Sequence, residues 1–388
     1  MSKIDDLIAR YCPDGVEFRR VQEVFNTKNG YTPLKANKNF WKDGTVPWFR
    51  LDDIRTNGRI LCKSFQQVAA AAIKGGRLFP ANSIIITTTA TIGEHALITV
   101  PHLANQQFTS LTPKPEFFSI LDMKFVYYYC FILGKWCFSN TRVSSFPSVN
   151  MTEFKKFKFP IPPLSVQQEI VKILDTFTEL EAELEAELEA ELEARKKQYK
   201  YYRDELLSFD EGEVEWKPLG EVYKFQYGMG NTIPTLGGEY PVYGSNGIVG
   251  THNESNSEDS PVIGHIGAYA GIVNWGAGKH FVTYNGVICK LINKLVHPKY
   301  AYYQLLKQDF NSMAKSASHP FVSYDALNKV SIPVPPLKEQ SRIVAILDKF
   351  DALVNDITIG LPAEIAARRQ QYEYYRNQLL TFKGHDGI

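Results

Sequence analysis

FKFPIPPLSVQQEIVKILDTF, residues 157–177, returns as VSIPVPPLKEQSRIVAILDKF at residues 330–350, displaced by 173 positions. At the same displacement RKKQYKYYRDELLSF (195–209) returns as RRQQYEYYRNQLLTF (368–382). Between these matched ends stand ELEAELEAELEAELEA in one copy and ALVNDITIGLPAEIAA in the other, unlike in sequence and equal in length. A floppy linker has no need of equal length, so the dimension of this element is under constraint. A repeat of this size means a chain built twice over.

Each copy reads as a long helix. PIPP and PVPP set an extended entry, because proline fixes φ and disfavours helix in the residue before it. Ser165, followed three positions later by Gln168, fits a capping box. Tyr199, Tyr202, Leu206 and Phe209 then recur at helical spacing, as do Tyr372, Tyr375, Leu379 and Phe382, giving one apolar stripe per helix that calls for a partner. The tetrapeptide tract alternates apolar and polar residues as a strand would. Leu, Glu and Ala are nevertheless strong helix formers and none is β-branched, so a helix is predicted there too. On it Leu180, Leu184, Leu188 and Leu192 form a slowly drifting stripe among eight Glu. Like charges at i and i+4 cost roughly 0.2–0.5 kcal/mol per pair, so the rod requires packing or nearby cations. In the second copy Gly360 and Pro362 are expected to interrupt the helix, as a C-cap glycine and a proline start.

The intervals between the copies form a fainter repeat: GVEFRRVQEV (15–24) resembles EVEWKPLGEV (213–222), KFVYYYCF (124–131) resembles KYAYYQLL (299–306), and SSFPSVN (144–150) resembles ASHPFVS (317–323). Short β-branched and aromatic runs with Gly, Asn and Pro punctuation predict mixed α/β globular domains. The expected organisation is an N-terminal helical segment over 1–13, a first domain over 14–157, a helical spacer over 158–210, a second domain over 211–330 and a C-terminal helical region over 331–384. The class is α+β: two globular α/β domains and two long antiparallel helices forming a coiled-coil spacer with pseudo-twofold symmetry.

The net charge of +1 hides an uneven distribution. Residues 14–156 hold 18 Lys or Arg against 10 Asp or Glu, whereas residues 211–329 hold 9 against 10. A basic first half permits a polyanionic partner without demanding one. The acidic tract repels phosphates, which makes it a spacer and not a binding surface. The five cysteines are odd in number and form no C-x-x-C pair, so a reducing cytoplasm is the expected compartment. No apolar run reaches the roughly 20 residues that span a bilayer, and the N-terminus lacks the order of a signal peptide.

The alternation of variable and constant regions, the paired PPL entries, the matched YYRDELL and YYRNQLL endings and the reiterated word in the central helix together resemble the DNA specificity subunit of type I restriction-modification enzymes, in the subgroup with tetrapeptide repeats in its spacer. The resemblance covers nearly the whole chain. It implies that each variable interval is a target recognition domain reading one half of a split double-stranded DNA site, and that the helices set the gap between the halves. It further implies two DNA methyltransferase subunits bound to the helical part, restriction subunits completing the nuclease, and no cofactor in this chain, with S-adenosylmethionine, ATP and Mg held by the partners. A continuous helix from Leu164 to Phe209 would be about 65–70 Å long, on the order of two turns of B-DNA.

The residues themselves fit a reader that catalyses nothing. No phosphate-binding G-x-x-x-x-G-K-[ST] loop occurs, the PP dipeptides lack the Asn or Asp that opens the amino-methyltransferase motif, and PDGVEFR (13–19) has carboxylates too close together for a nuclease, with Arg19 in place of lysine. His265, His280 and His319 lack metal-ligand spacing and read as core or loop residues. A DNA reader needs cations for phosphates and Arg, Lys, Asn, Gln, Ser or Thr for base edges. In the first domain the candidates are Lys35, Lys38, Arg50, Arg55, Arg59, Thr89, Thr91 and Gln106. Trp41 and Trp48, in a W-x-x-G…PWF stretch resembling the family's domain entry, read equally as core. In the second domain the candidates are Ser245, Asn246, His265, Tyr269, Asn285, Lys315 and His319. The competing reading is a protein-binding scaffold with two variable domains on a helical spacer.

Overall fold

A computed structural model describes residues 3–142, 147–230, 237–313, 320–356 and 359–384. It divides into two compact units, one made of Met1–Glu185 with Ala367–Ile388 and the other of Ala186–Ala366. The helices that matter are α1 (Leu51–Asn57), α2 (Met123–Ser139), α3 (Leu164–Leu206), α4 (Pro298–Lys307), α5 (Leu337–Asn355) and α6 (Leu361–Leu379).

The first unit is built on strands β1 (Phe25–Asn29), β2 (Val46–Phe49), β3 (Ile60–Leu61), β4 (Gln67–Val68), β5 (Ser83–Thr87), β6 (His95–Ile98), β7 (Leu103–Ala104) and β8 (Phe108–Pro113). They form a five-stranded sheet of order β1-β8-β5-β6-β3 and a three-stranded sheet of order β4-β2-β7. The run SIIIT of β5 is buried throughout, as an apolar run without alternation requires. Because side chains alternate across a strand, Ile84 and Ile86 pack with Val126, Cys130 and Leu133 of α2, while Ile85 packs with Phe49, Ala96, Ile98 and Phe108. Each buried isoleucine contributes about 1.5–3 kcal/mol.

The second unit carries β9 (Tyr223–Tyr227), β10 (Tyr240–Gly244), β11 (Gly247–His252), β12 (Ser257–Gly264), β13 (Val273–Val282) and β14 (Gly286–Leu291) in one sheet of order β9-β14-β12-β13-β10-β11. β10 runs parallel to β13 with Val242 opposite Phe281 and Tyr243 opposite Val282; β2 runs parallel to β7 with Trp48 opposite Leu103 and Phe49 opposite Ala104. The ten-residue β13 thus does alone what β6 and β7 do in the first unit.

The same joint fastens the domain to its helix in each unit. Gln167, fully buried, donates from Nε2 to the carbonyls of Ile120 (2.8 Å) and Pro162 (2.7 Å) and accepts at Oε1 from the Asp122 N–H (2.9 Å). Gln340 repeats the pattern with Leu295 (2.9 Å), Pro335 (2.7 Å) and the His297 N–H (2.7 Å). About two turns further along, the Tyr128 hydroxyl donates to Asp175 (2.8 Å) and that of Tyr303 to Asp348 (2.5 Å). The closure of each unit is duplicated too. Val16 bridges to Gly384, its N–H donating to the Lys383 carbonyl at 2.8 Å, and Val214 bridges to Glu211.

α3 is a single helix of 43 residues. Its first turn opens on the Pro163 carbonyl, which accepts from Val166 (2.9 Å) and Gln167 (3.1 Å), so Ser165 lies inside the helix and is not its cap. The second copy breaks as expected, α5 ending at Asn355 and α6 starting at Leu361 with Pro362 in its first turn. Gly360 serves there by close approach and not by a left-handed backbone: a Cβ would lie 2.5 Å from the Ala352 carbonyl oxygen and 2.7 Å from that of Leu353.

In each unit the paired segments are antiparallel. In the second, Leu188 packs on Leu361 and Ile365 while Tyr202 stacks on Phe350 at 5.7 Å; in the first, the Thr178 hydroxyl meets the Tyr372 hydroxyl at 2.7 Å and Glu185 pairs with Arg369. The leucine stripe is not buried along its length: Leu188 is buried and Leu192 half-buried, but Leu180 and Leu184 are 56% and 36% exposed. A four-residue period turns about 40° around the helix per step, so the stripe cannot keep facing one partner. Tyr199 is buried, and Leu206, Phe209, Leu379 and Phe382 pack against the cores of their units, whereas Tyr202 and Tyr375 stay exposed at 39% and 48%.

Replacing Gln167 with methionine keeps the volume and strands two carbonyls and one N–H. A loss of at least ~2 kcal/mol is expected, and Gln340→Met should cost the same within ~1 kcal/mol, read as paired drops in denaturant midpoint. Unequal losses would show that the two joints are not equivalent.

Candidate nucleic-acid interface

At one end of each sheet the chain is held by four matched backbone hydrogen bonds. In the first unit they run from Gly30 N–H to the Phe108 carbonyl (2.9 Å), Tyr31 to Ala104 (2.8 Å), Asn105 to Phe49 (3.0 Å) and Phe108 to Asn105 (3.2 Å). In the second they run from Gly228 to Gly286 (3.0 Å), Met229 to Val282 (3.0 Å), Thr283 to Tyr243 (3.0 Å) and Gly286 to Thr283 (2.9 Å). Glycine is required at the crossing: a Cβ on Gly30 would lie 2.2 Å from the Asn105 carbonyl oxygen, and one on Gly228 2.2 Å from those of Thr283 and Val282. The frame is backbone alone, so the side chains it projects are free to differ. They do differ: Arg50 corresponds to Gly244 and Gln106 to Tyr284.

In the first unit this end presents a cleft of about 760 Å³ lined by Tyr31, Thr32, Lys35, Trp41, Trp48, Arg50, Gln66, Asn105 and Gln106. The structure thus brings Lys35, Arg50 and Gln106 together and places the exposed Lys38 on the neighbouring turn. Trp48 is buried, donating from its indole to the Tyr31 carbonyl at 2.9 Å, with Trp41 edge-on at 5.0 Å; both tryptophans shape the cleft wall. Thr89 and Thr91 are half-buried in the loop after β5, at the same end, where Thr89 bridges to Ser148. Arg55 and Arg59 have another task. Both pair with Glu94 at 3.2 Å, and Arg59 also donates to the His95 carbonyl (3.1 Å), so these cations brace the loop that carries Glu94.

In the second unit Ser245, Asn246, His265, Tyr269 and Asn285 occupy loops at the equivalent end. The Ser245 hydroxyl lies 3.0 Å from the carbonyls of Ile266 and Asn285, and the His265 N–H donates to the Asn285 carbonyl at 2.8 Å. His265 is buried, its Nδ1 3.1 Å from the Val322 carbonyl and its ring 4.3 Å from Tyr227, and burial lowers its pKa; it belongs to the core and supports the rim. Asn246 and Tyr269 are exposed. Lys315 and His319 lie outside the described residues. Residue patterns gave no signal for exposed Met229, Ile266 and Tyr284, which join the rim through the backbone frame.

A family model described as "Type I restriction modification DNA specificity domain" matches residues 13–194 and again 211–367. The chain belongs to this family. It is a type I restriction-modification specificity subunit with two target recognition domains. It is 48% identical over 359 residues to the EcoprrI specificity subunit of Escherichia coli, covering 88% of this chain and 89% of the relative. It is 35% identical over 305 residues to the EcoR124I/EcoR124II specificity subunit of the same organism, covering 67% and 71%. The fold is shared with a chain from a solved structure of the type I R-M system described by its "complex assembly and conformational transition", at a TM-score of 0.66, 18% identity and coverage of 94% and 97%. The HsdS subunit from Thermoanaerobacter tengcongensis follows at a TM-score of 0.50, 17% identity and coverage of 94% and 96%. No helix among the described residues of the specificity subunit is long and apolar enough to cross a membrane.

Behind the first recognition loops lies His95, 1% exposed, its ring 4.5 Å from Phe131 and its Nε2 without a partner. Burial, reinforced by Arg59, lowers its pKa from 6.5 to about 3. The unfolded chain therefore binds one proton more than the folded one between these values, so stability is full above pH 6.5 and falls as pH drops toward 3. This residue alone contributes about 1.4 kcal/mol per pH unit in that window. Melts at pH 7.5 and pH 5 should show His95→Phe losing less on acidification than the parent protein by about that slope; equal slopes would remove His95 from the account.

Proposed function

We infer that this specificity subunit reads double-stranded DNA in two halves, one recognition domain per half-site, and directs adenine methylation and DNA cleavage by partner subunits. The observation that carries the reading is the shared backbone frame with unlike side chains: one scaffold presents two different sets of polar groups, which is what two different half-sites demand. The subunit supplies recognition alone. Two methyltransferase subunits bring S-adenosylmethionine, restriction subunits bring ATP and Mg, and the assembly works in the cytoplasm. The first domain holds the cationic cleft, and the second holds a nearly neutral tyrosine-rich rim, so phosphate attraction is concentrated in the first.

The acidic stretch of α3 acts as the spacer. Two linked readers gain from effective concentration only where the spacer matches the distance between their sites. With the methyltransferase complex, selection from random DNA should return two short conserved blocks around a fixed unconserved gap, and log K should fall linearly with log salt. Salt-independent binding, or retention of a protein partner by both domains without DNA, would favour the scaffold reading.

Deletion of one four-residue word, such as residues 183–186, removes about 6 Å and turns the helix by about 40°. The preferred gap is expected to shorten by one or two base pairs with both blocks unchanged. Selection returning the original gap would end the ruler.

A further inference from the structure

Arg50 follows β2 and opens α1. Its backbone N–H donates to Asp53 Oδ2 at 2.7 Å, so the cap uses the main chain, and the arginine side chain carries no acceptor with which to cap anything. The guanidinium carbon lies over the Trp48 ring, 5.9 Å from its centroid. The nearest carboxylate, Asp52, is 3.9 Å away and 69% exposed, a weak pairing. Its Nε is buried without a hydrogen-bond partner. Arg55 and Arg59, by contrast, are both hydrogen-bonded to Glu94. Arg50 is therefore a planar, charged fork braced by an aromatic face, short of acceptors, and directed into a cleft that also holds Gln66 and Gln106.

A fork of this kind is completed by two acceptors side by side in one plane. Guanine presents that pair in the major groove as O6 and N7, and the flanking Gln66 and Gln106 add amide groups able to meet a base edge. Lys35, exposed at the cleft, suits the phosphate role. The second domain supplies an internal comparison. Phe49 and Tyr243 occupy equivalent places, since their carbonyls accept from Asn105 and Thr283, so the position of Arg50 is taken there by Gly244, which has no side chain to read with.

We propose that Arg50 reads a guanine in the half-site of the first recognition domain, and that no equivalent reader exists at Gly244 in the second. The proposal rests on the reading of DNA given above. The test uses the intact subunit with its methyltransferase partners and random-DNA selection on the parent, Arg50→Lys and Arg50→Gln. The parent should return one position in one block fixed as guanine. Arg50→Lys keeps the charge and loses the fork, so discrimination at that position should relax about tenfold to hundredfold, while the salt slope, the other block and the gap persist. Arg50→Gln should lose guanine there as well.

Uniform weakening at all positions with a salt slope lower by about one would make Arg50 a phosphate contact and overturn the proposal. An unchanged guanine in both variants would do the same. A parent protein that returns no two-block motif would remove the DNA reading itself, an outcome distinct from the other two. The unchanged second block serves as the check that the variants are folded.

Discussion

A single buried amide makes the joint on which each half of this protein depends. A recognition domain has to hand its orientation to a helix through a proline-rich strand, and proline leaves no N–H with which a strand could be tied down. Gln167 and Gln340 solve this from the helix side, each reaching back to the carbonyl just before the second proline and across to both polar groups of the turn ahead of α2 or α4. The bonds to the Pro162 and Pro335 carbonyls are buried and the other four are partly so, and a slip of one residue would strand three backbone groups. The Tyr128–Asp175 and Tyr303–Asp348 bonds, about two turns further on, fix the azimuth of the same helices. Two contacts at different heights define a direction, and one would not.

From this joint the recognition ends follow. The frame at the loop end of each sheet consists of backbone hydrogen bonds and one glycine crossing, and neither depends on what the loops carry. Side chains there can change without disturbing the fold, which allows one scaffold to present a cationic, tryptophan-lined cleft in one copy and a neutral rim with exposed Tyr269 and Tyr284 in the other. The constraint also runs the other way. Some loop side chains are bound into the frame's support, as Arg55 and Arg59 are through Glu94, and His265 through the Val322 carbonyl.

The contrast explains what the sequence disclosed. The matched runs around IPPL and VPPL recur because the joints bury Gln167 and Gln340 in the same way, and the matched tails bury Leu207 and Leu380 at the same position, while the YYR tyrosines themselves stay exposed. The break at Gly360 and Pro362 was legible for the same reason, although the glycine acts through the nearness of the Ala352 and Leu353 carbonyls and not through its φ. The recognition residues were harder. A side chain's composition does not reveal whether its hydrogen bonds are already taken: Arg50 and Arg59 are indistinguishable as letters, yet one lacks a partner at Nε and the other spans Glu94 and the His95 carbonyl. Exposed Met229 and Tyr284 were missed because nothing near them in sequence marks the frame they sit on.

The acidic helix raises a problem of its own, since eight glutamates in sixteen positions oppose the helix they occupy. The charge is answered locally in three ways. Arg195 and Lys196 fold back to Glu191 (3.3 Å) and Glu193 (2.9 Å) in the favourable order, acid before base. Arg369 of α6 pairs with Glu185 inside the first unit, and Arg376 lies near Glu181, whose own pKa is raised mainly by burial. Leu188 and Leu192 add apolar burial against Leu361 and Ile365. None of these is strong alone, because exposed ion pairs are worth at most ~1 kcal/mol each. Together they stabilise a rod of uniform composition, and a word repeated without variation changes its length by whole steps while leaving each remaining contact in kind.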